Sequence, residues 1–172
     1  MCEIISKLSG MTPKTILGKA GQAQLFPVDI AEICYRLGIY LLNFDGIGLE
    51  ESVAARLSSA AVAKGNELAI LYNQNLPTFE RRLAIARELA HVCLYMKPDD
   101  KLHLTYTGND HQNSQSRNID DFAGNLLLPT HTFLRIADVT KAERGKTDFL
   151  LSMKFMAPET LIRQRMSELG IQ

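Results

Sequence analysis

A chain of 172 residues with 46% hydrophobic and 22% charged residues suits one compact domain with a real core. Nineteen basic residues balance nineteen acidic ones, which excludes a chain-wide electrostatic attraction to nucleic acid or to an anionic membrane. Three widely spaced cysteines, no apolar run of membrane-spanning length and no charged leader followed by an apolar stretch give the expectation of a reduced, cytoplasmic protein.

Residues 1 to about 24 are weakly patterned and predict a helical lead-in ending near Gly21. In "PVDIAEICYRLGIYLLNF", Asp29 stands three residues before Glu32, a capping-box-like helix start. Ile30, Ile33, Cys34 and Leu37 form a helical stripe, Gly38 is a natural stop, and "IYLLNF" reads as a strand. Residues 45–58 read as loop and a short amphipathic piece. In "AAVAKGNELAILYN", Gly65-Asn66 separates two extended runs, the signature of a β-hairpin. Pro77 opens a helix from Thr78 to Met96, with Leu83, Ala86, Ala90, Cys93 and Leu94 toward the core. A polar stretch follows, with a short strand at Leu102–Tyr106. "SRNIDDFAGNLLL" is a second helix that stops at Pro129, and "THTFLRIAD" is a third. Polar residues 138–147 lead to a closing pair, "TDFLLSMKF" and "PETLIRQRMSELG". The order predicts an α+β fold: residues 1–137 form a small twisted sheet, including the hairpin, beside several helices, and residues 138–172 form a helical pair packed on the same domain. With no Gly-rich phosphate loop, nucleotide chemistry has no support.

The chemistry-bearing stretch is "ERRLAIARELAHVCLY", residues 80–95. It approaches the zinc motif H-E-x-x-H, in which two histidines one helical turn apart meet one cation and the intervening Glu activates the metal-bound water. Here it reads Arg87-Glu88-Leu89-Ala90-His91. Arg87 cannot be a ligand, because a guanidinium has no lone pair to give and does not deprotonate. It also adds repulsion: a unit cation about 4 Å from a dication costs on the order of 8 kcal/mol at an effective dielectric near 20. That would erase most of a structural-grade zinc affinity of roughly 10–16 kcal/mol. Taken alone, such a half-match is also what an ordinary exposed helix face looks like.

The surrounding chain resembles the ImmA/IrrE family of zinc-dependent peptidases. "PVDIAEICYRLGIYLLNFD" is similar to the family's entry helix and first strand. "SAAVAKGNELAILYNQNLPTFERRLAIARELAH" resembles its hairpin, N-x-N-L turn and zinc helix. "FAGNLLLP" resembles its F-A-x-x-L-L-M-P segment, and "LLSMKFMAPETLIRQRMSELG" its closing helix-turn-helix-like pair. The resemblance spans about Pro27 to Gly170. It implies a zincin-like fold, a zinc ion, and cleavage of helix-turn-helix repressors in bacteria, phages or mobile elements. Carried over by position, the first His ligand falls on Arg87, the general base on Glu88 and the second His ligand on His91. The third ligand, a Glu four residues before the Phe, falls on Asn118, a poorer zinc ligand than a carboxylate. The motif is therefore degenerate, Glu88 stands as a vestigial base and no cofactor is expected. Arg87 either stands in for the metal's charge, paired with Glu88, Asp120 or Asp121, or reaches out to solvent. A rearranged metal site of His91, Asp121 and His111 is the alternative.

The closing pair carries Arg163 and Arg165, but its last helix begins with Glu159 and Thr160, and residues 141–172 hold six basic and four acidic side chains. That is too mild for strong phosphate binding. Leu161, Ile162, Met166 and Leu169 read as packing residues, as do Met153 and Met156. Two functional readings follow. One is a pseudoenzyme that binds a protein partner, a helix-turn-helix repressor, without direct nucleic-acid or membrane binding. The other is a zinc endopeptidase with a rearranged site.

Overall fold

The structure is a computed structural model that describes residues 1–47, 50–107, 114–143 and 146–171. His111 lies outside the described residues. Nine helices and four strands follow one another among those residues. The lead-in is two short helices, α1 (Glu3–Leu8) and α2 (Pro13–Lys19). Thr12 caps α2, its hydroxyl accepting from the Thr15 amide. Both helices bury their apolar side chains, Ile5, Leu8, Ile16 and Leu17, in the main core.

Helix α3 (Ile30–Arg36) starts where expected, and Asp29 accepts from the amides of Ala31 and Glu32. The reciprocal half of a capping box is replaced, because the Asp29 amide donates to Gln22 and Glu32 pairs with Arg36 instead. Strand β1 (Ile39–Asn43) is followed by a short 3-10 turn at Phe44–Ile47 and by α4 (Glu51–Ala54). Strands β2 (Leu57–Lys64) and β3 (Glu67–Tyr72) form the hairpin, turning at Gly65 with φ +61. Asn73 fixes the turn after it, donating to the carbonyls of Ala54 and Leu57 while its oxygen accepts from the Asn75 amide.

The long helix α5 (Thr78–Leu94) packs on the sheet and on α6 (Ser114–Leu127). Leu83, Ala86, Ala90 and Cys93 are in the core, whereas Leu94, expected there too, is exposed at the helix end. Strand β4 (Leu102–Tyr106) completes a sheet ordered β1-β3-β2-β4, with β1 and β3 parallel and the other pairs antiparallel. The fold is α+β, as a zincin-like domain requires.

Helices α7 (Thr130–Thr140), α8 (Thr147–Phe155) and α9 (Glu159–Glu168) close the chain. Residue 137 lies inside α7, and Leu151, Phe155, Leu161 and Ile162 belong to the same core as α5 and α6. Met153 is exposed rather than packed, while Met166 and Leu169 lie against the core. Arg165 is buried: it donates to Asn125 on α6, to the Thr130 hydroxyl on α7 and to Glu168. Arg163 is held by Asp148 and Glu159. Neither arginine presents a free fork for phosphate. No described helix is long and apolar enough to cross a membrane. Cys2, Cys34 and Cys93 are free and buried, and burial pushes the Cys34 and Cys93 thiols up to about 12, so neither is a nucleophile at neutral pH.

Candidate functional site

Four residues of α5, Glu80, Ala84, Arg87 and His91, follow a spacing of four, three and four and share one face. They form one wall of a cleft of about 410 Å³. Residues His103 to Thr107, on and just after β4, form the opposite wall. Gln115, Ser116, Ile119 and Asp120 of α6 contribute from the side.

Beneath this stripe, Glu88 points into the sheet with no exposed surface. The strand register explains its surroundings, since Ser59 is opposite Thr105 and Ala61 opposite His103. Side chains of one face alternate along each strand, so Ser59, His103 and Thr105 converge on one carboxylate. The Ser59 and Thr105 hydroxyls donate to Oε2 at 2.8 and 2.9 Å, and His103 Nδ1 donates to Oε1 at 2.5 Å. A buried carboxylate survives only with such donors. These same bonds occupy the lone pairs that a general base would need.

His91 stacks on His103, with ring centroids 3.4 Å apart and planes at 10°. Its Nδ1 is buried without a partner. Burial first, then the neighbouring His103, pushes its pKa down to about 4, against the pull of Glu88 and Asp100. It is therefore a neutral ring at physiological pH. Arg87 Nε donates to Asp120 Oδ1 at 2.6 Å, and both side chains are largely buried.

Of the other carried-over positions, Asn118 does not join this cleft. It is exposed, donates to the Tyr95 hydroxyl at 2.9 Å, and lines a separate cavity with Leu94, Asp121 and Phe122. Asp121 is likewise exposed on that side, so the carboxylate beside Arg87 is that of Asp120. Ser59, His103 and Thr105 were missed as site residues from sequence. Their one signal is the alternation in "LHLTY", which puts His103 and Thr105 on the face opposite its leucines.

The residues present do not fit a zinc ion at the H-E-x-x-H position. A guanidinium already paired with a carboxylate stands at the first ligand position. Asn118, the residue expected at the third position, faces elsewhere, and Glu88 is turned away from the cleft. Among the described residues no three His, Cys, Asp or Glu side chains gather as a metal site.

A family model described as the IrrE N-terminal-like domain, of the peptidase M78 family, matches residues 34–167. No curated protein matches the chain.

Proposed function

Because the chain belongs to the ImmA/IrrE family, we propose that it is a catalytically inactive member that acts by binding a protein partner, a helix-turn-helix repressor, in the cleft beside α5. The observation that carries this reading is the state of Glu88: fully buried, with both oxygens engaged by three donors. Amide hydrolysis needs a base facing water and an electrophile to polarise the carbonyl. Here the base faces the sheet, and a neutralised guanidinium stands where an electrophile is needed.

The binding surface is the edge of β4. The hairpin strands are not available for this, because β2 and β3 are flanked on their outer sides by β4 and β1. Lys101 accepts from Ala63 and Thr107 donates to Arg56, both across to β2 and its start. By alternation, Leu102, Leu104 and Tyr106 direct their backbone groups away from the sheet. An extended segment of a partner adds there as a further strand.

Elemental analysis and proteolysis test the first half. The expected result is substoichiometric zinc and no cleavage of a helix-turn-helix repressor; stoichiometric zinc with chelator-sensitive cleavage would overturn the reading. Leu104→Pro tests the second half, because it removes an edge N–H that serves no ladder bond. It should abolish repressor binding while the protein stays folded.

A further inference from the structure

The cleft holds an arginine, yet the charge of its described residues is negative. Arg87 contributes one positive charge, and Glu80 and Asp120 on the walls with Glu88 beneath them contribute three negative ones. Asp120 engages Arg87, and Glu88 is sealed from the cleft by burial. The carboxylate that faces solvent is Glu80. It is exposed, and no hydrogen bond or ion pair engages it among the described residues.

The arrangement along the cleft is directional. His103 stacks on His91, and Thr105 reaches Glu88. Strand β4 thus runs opposite to α5, and Tyr106 and Thr107 come toward the Ala84 and Glu80 end. Along α5 the Arg87–Asp120 pair lies between His91 and Ala84, and Leu76, Ala84 and Ile119 add the apolar share of the lining. An occupant paired with β4 therefore meets the stacked imidazoles, the Arg87–Asp120 pair, an apolar patch and, at the far end, the Glu80 carboxylate.

We infer that the cleft selects an extended segment carrying a lysine or arginine that Glu80 receives, two residues from a medium-sized aliphatic side chain seated on Leu76, Ala84 and Ile119, because alternate side chains of an extended segment share a face. The inference rests on the proposed reading of the cleft as a peptide-binding site. It names the partner by charge: the segment bound is basic, although the cleft also holds Arg87, which Asp120 engages. Glu80 is then a specificity-determining residue outside the degenerate metal motif.

The test uses the full chain. Random peptides displayed on phage are panned against it, and the enriched sequences are synthesised with fluorescein labels, each with its basic residue kept or replaced by Glu. Enrichment of Lys or Arg two positions from Leu, Val or Ile is expected, and the Glu versions should bind about tenfold more weakly by anisotropy at low salt. Glu80→Gln should shrink that ratio and Glu80→Lys should reverse it. Both changes are at an exposed position, so folding is retained and checked by circular dichroism. Enriched peptides without a basic residue, or a ratio unmoved in Glu80→Lys, overturn the inference and leave the peptide-binding reading standing. No enrichment at all defeats the peptide-binding reading itself, and the inference with it.

Discussion

Replacing Glu88 separates a structural carboxylate from a catalytic one. In a working peptidase, a solvent-facing base can be changed with little loss of stability. Here the side chain is fully buried and receives three hydrogen bonds. At roughly 1.5–3 kcal/mol for each bond to a charged group, the three offset the several kcal/mol that desolvating the carboxylate costs. With those terms nearly cancelling, the loss in Glu88→Ala is set by what remains behind. Ser59 is fully buried, and its hydroxyl is stranded at about 1–3 kcal/mol. The lost buried methylene adds about 0.8 kcal/mol. His103 and Thr105 are partly exposed and can turn to water. The expected destabilisation is about 3 kcal/mol. Glu88→Gln keeps an oxygen for Ser59 and Thr105 and presents its NH2 to His103, whose ring then accepts. It should cost about 1 kcal/mol. Urea denaturation followed by circular dichroism measures both. If Glu88→Ala lies within about 0.5 kcal/mol of the parent, or Gln is as damaging as Ala, the network does not hold this site together.

Four further outcomes are expected. Arg87→Leu breaks a pair intermediate between exposed and buried, and should cost about 2 kcal/mol in the same titration, against under 1 for an exposed arginine. Arg87→His alone should allow a cobalt absorption spectrum to develop on titration, because Asp120 and His91 flank position 87 from the same cleft; adding Asn118→Glu should leave that spectrum unchanged. Burial holds His91 near pKa 4 against 6.5 when unfolded, so its contribution is complete above pH 6.5 and is lost as pH falls toward 4. The full shift corresponds to about 3 kcal/mol, and discounting for the ring's partial exposure leaves about 1–2; His91→Gln should flatten stability over that window. Gly124→Ala places a methyl 3.6 Å from Leu161 Cδ1, an ordinary contact, and should stabilise α6 by about 0.5–1 kcal/mol in thermal unfolding.

The parts of the fold legible in sequence are those written in short-range periodicity. Helix α5, the hairpin around Gly65 and strand β4 all lie where apolar spacing and turn chemistry put them. The Glu88 network was not legible, because Ser59, His103 and Thr105 meet it through pairing between strands more than forty residues apart in the chain. Alternation tells which side chains share a face, but not which residue stands opposite which. The same limit separates Asn118 from Asp120. Counting along a motif fixes a position in sequence, whereas the rotation of α6 against α5 is set by packing, and a two-residue step on a helix is most of a half turn. Arg165 is a third case: an arginine beside Gln164 reads as solvated, and only its pairing with Asn125 and Thr130 shows it as an internal brace.

The matched portion of the chain begins at residue 34, inside α3, yet α1 and α2 are sunk in the common core. The Cys2 amide donates to the Pro98 carbonyl, and the Glu3 amide to the Asn66 side chain at the hairpin tip. The limits of the matched segment and those of the packed core therefore do not coincide. A fragment beginning at residue 34 would start mid-helix with a greasy scar along its flank, and should aggregate more readily than the whole polypeptide.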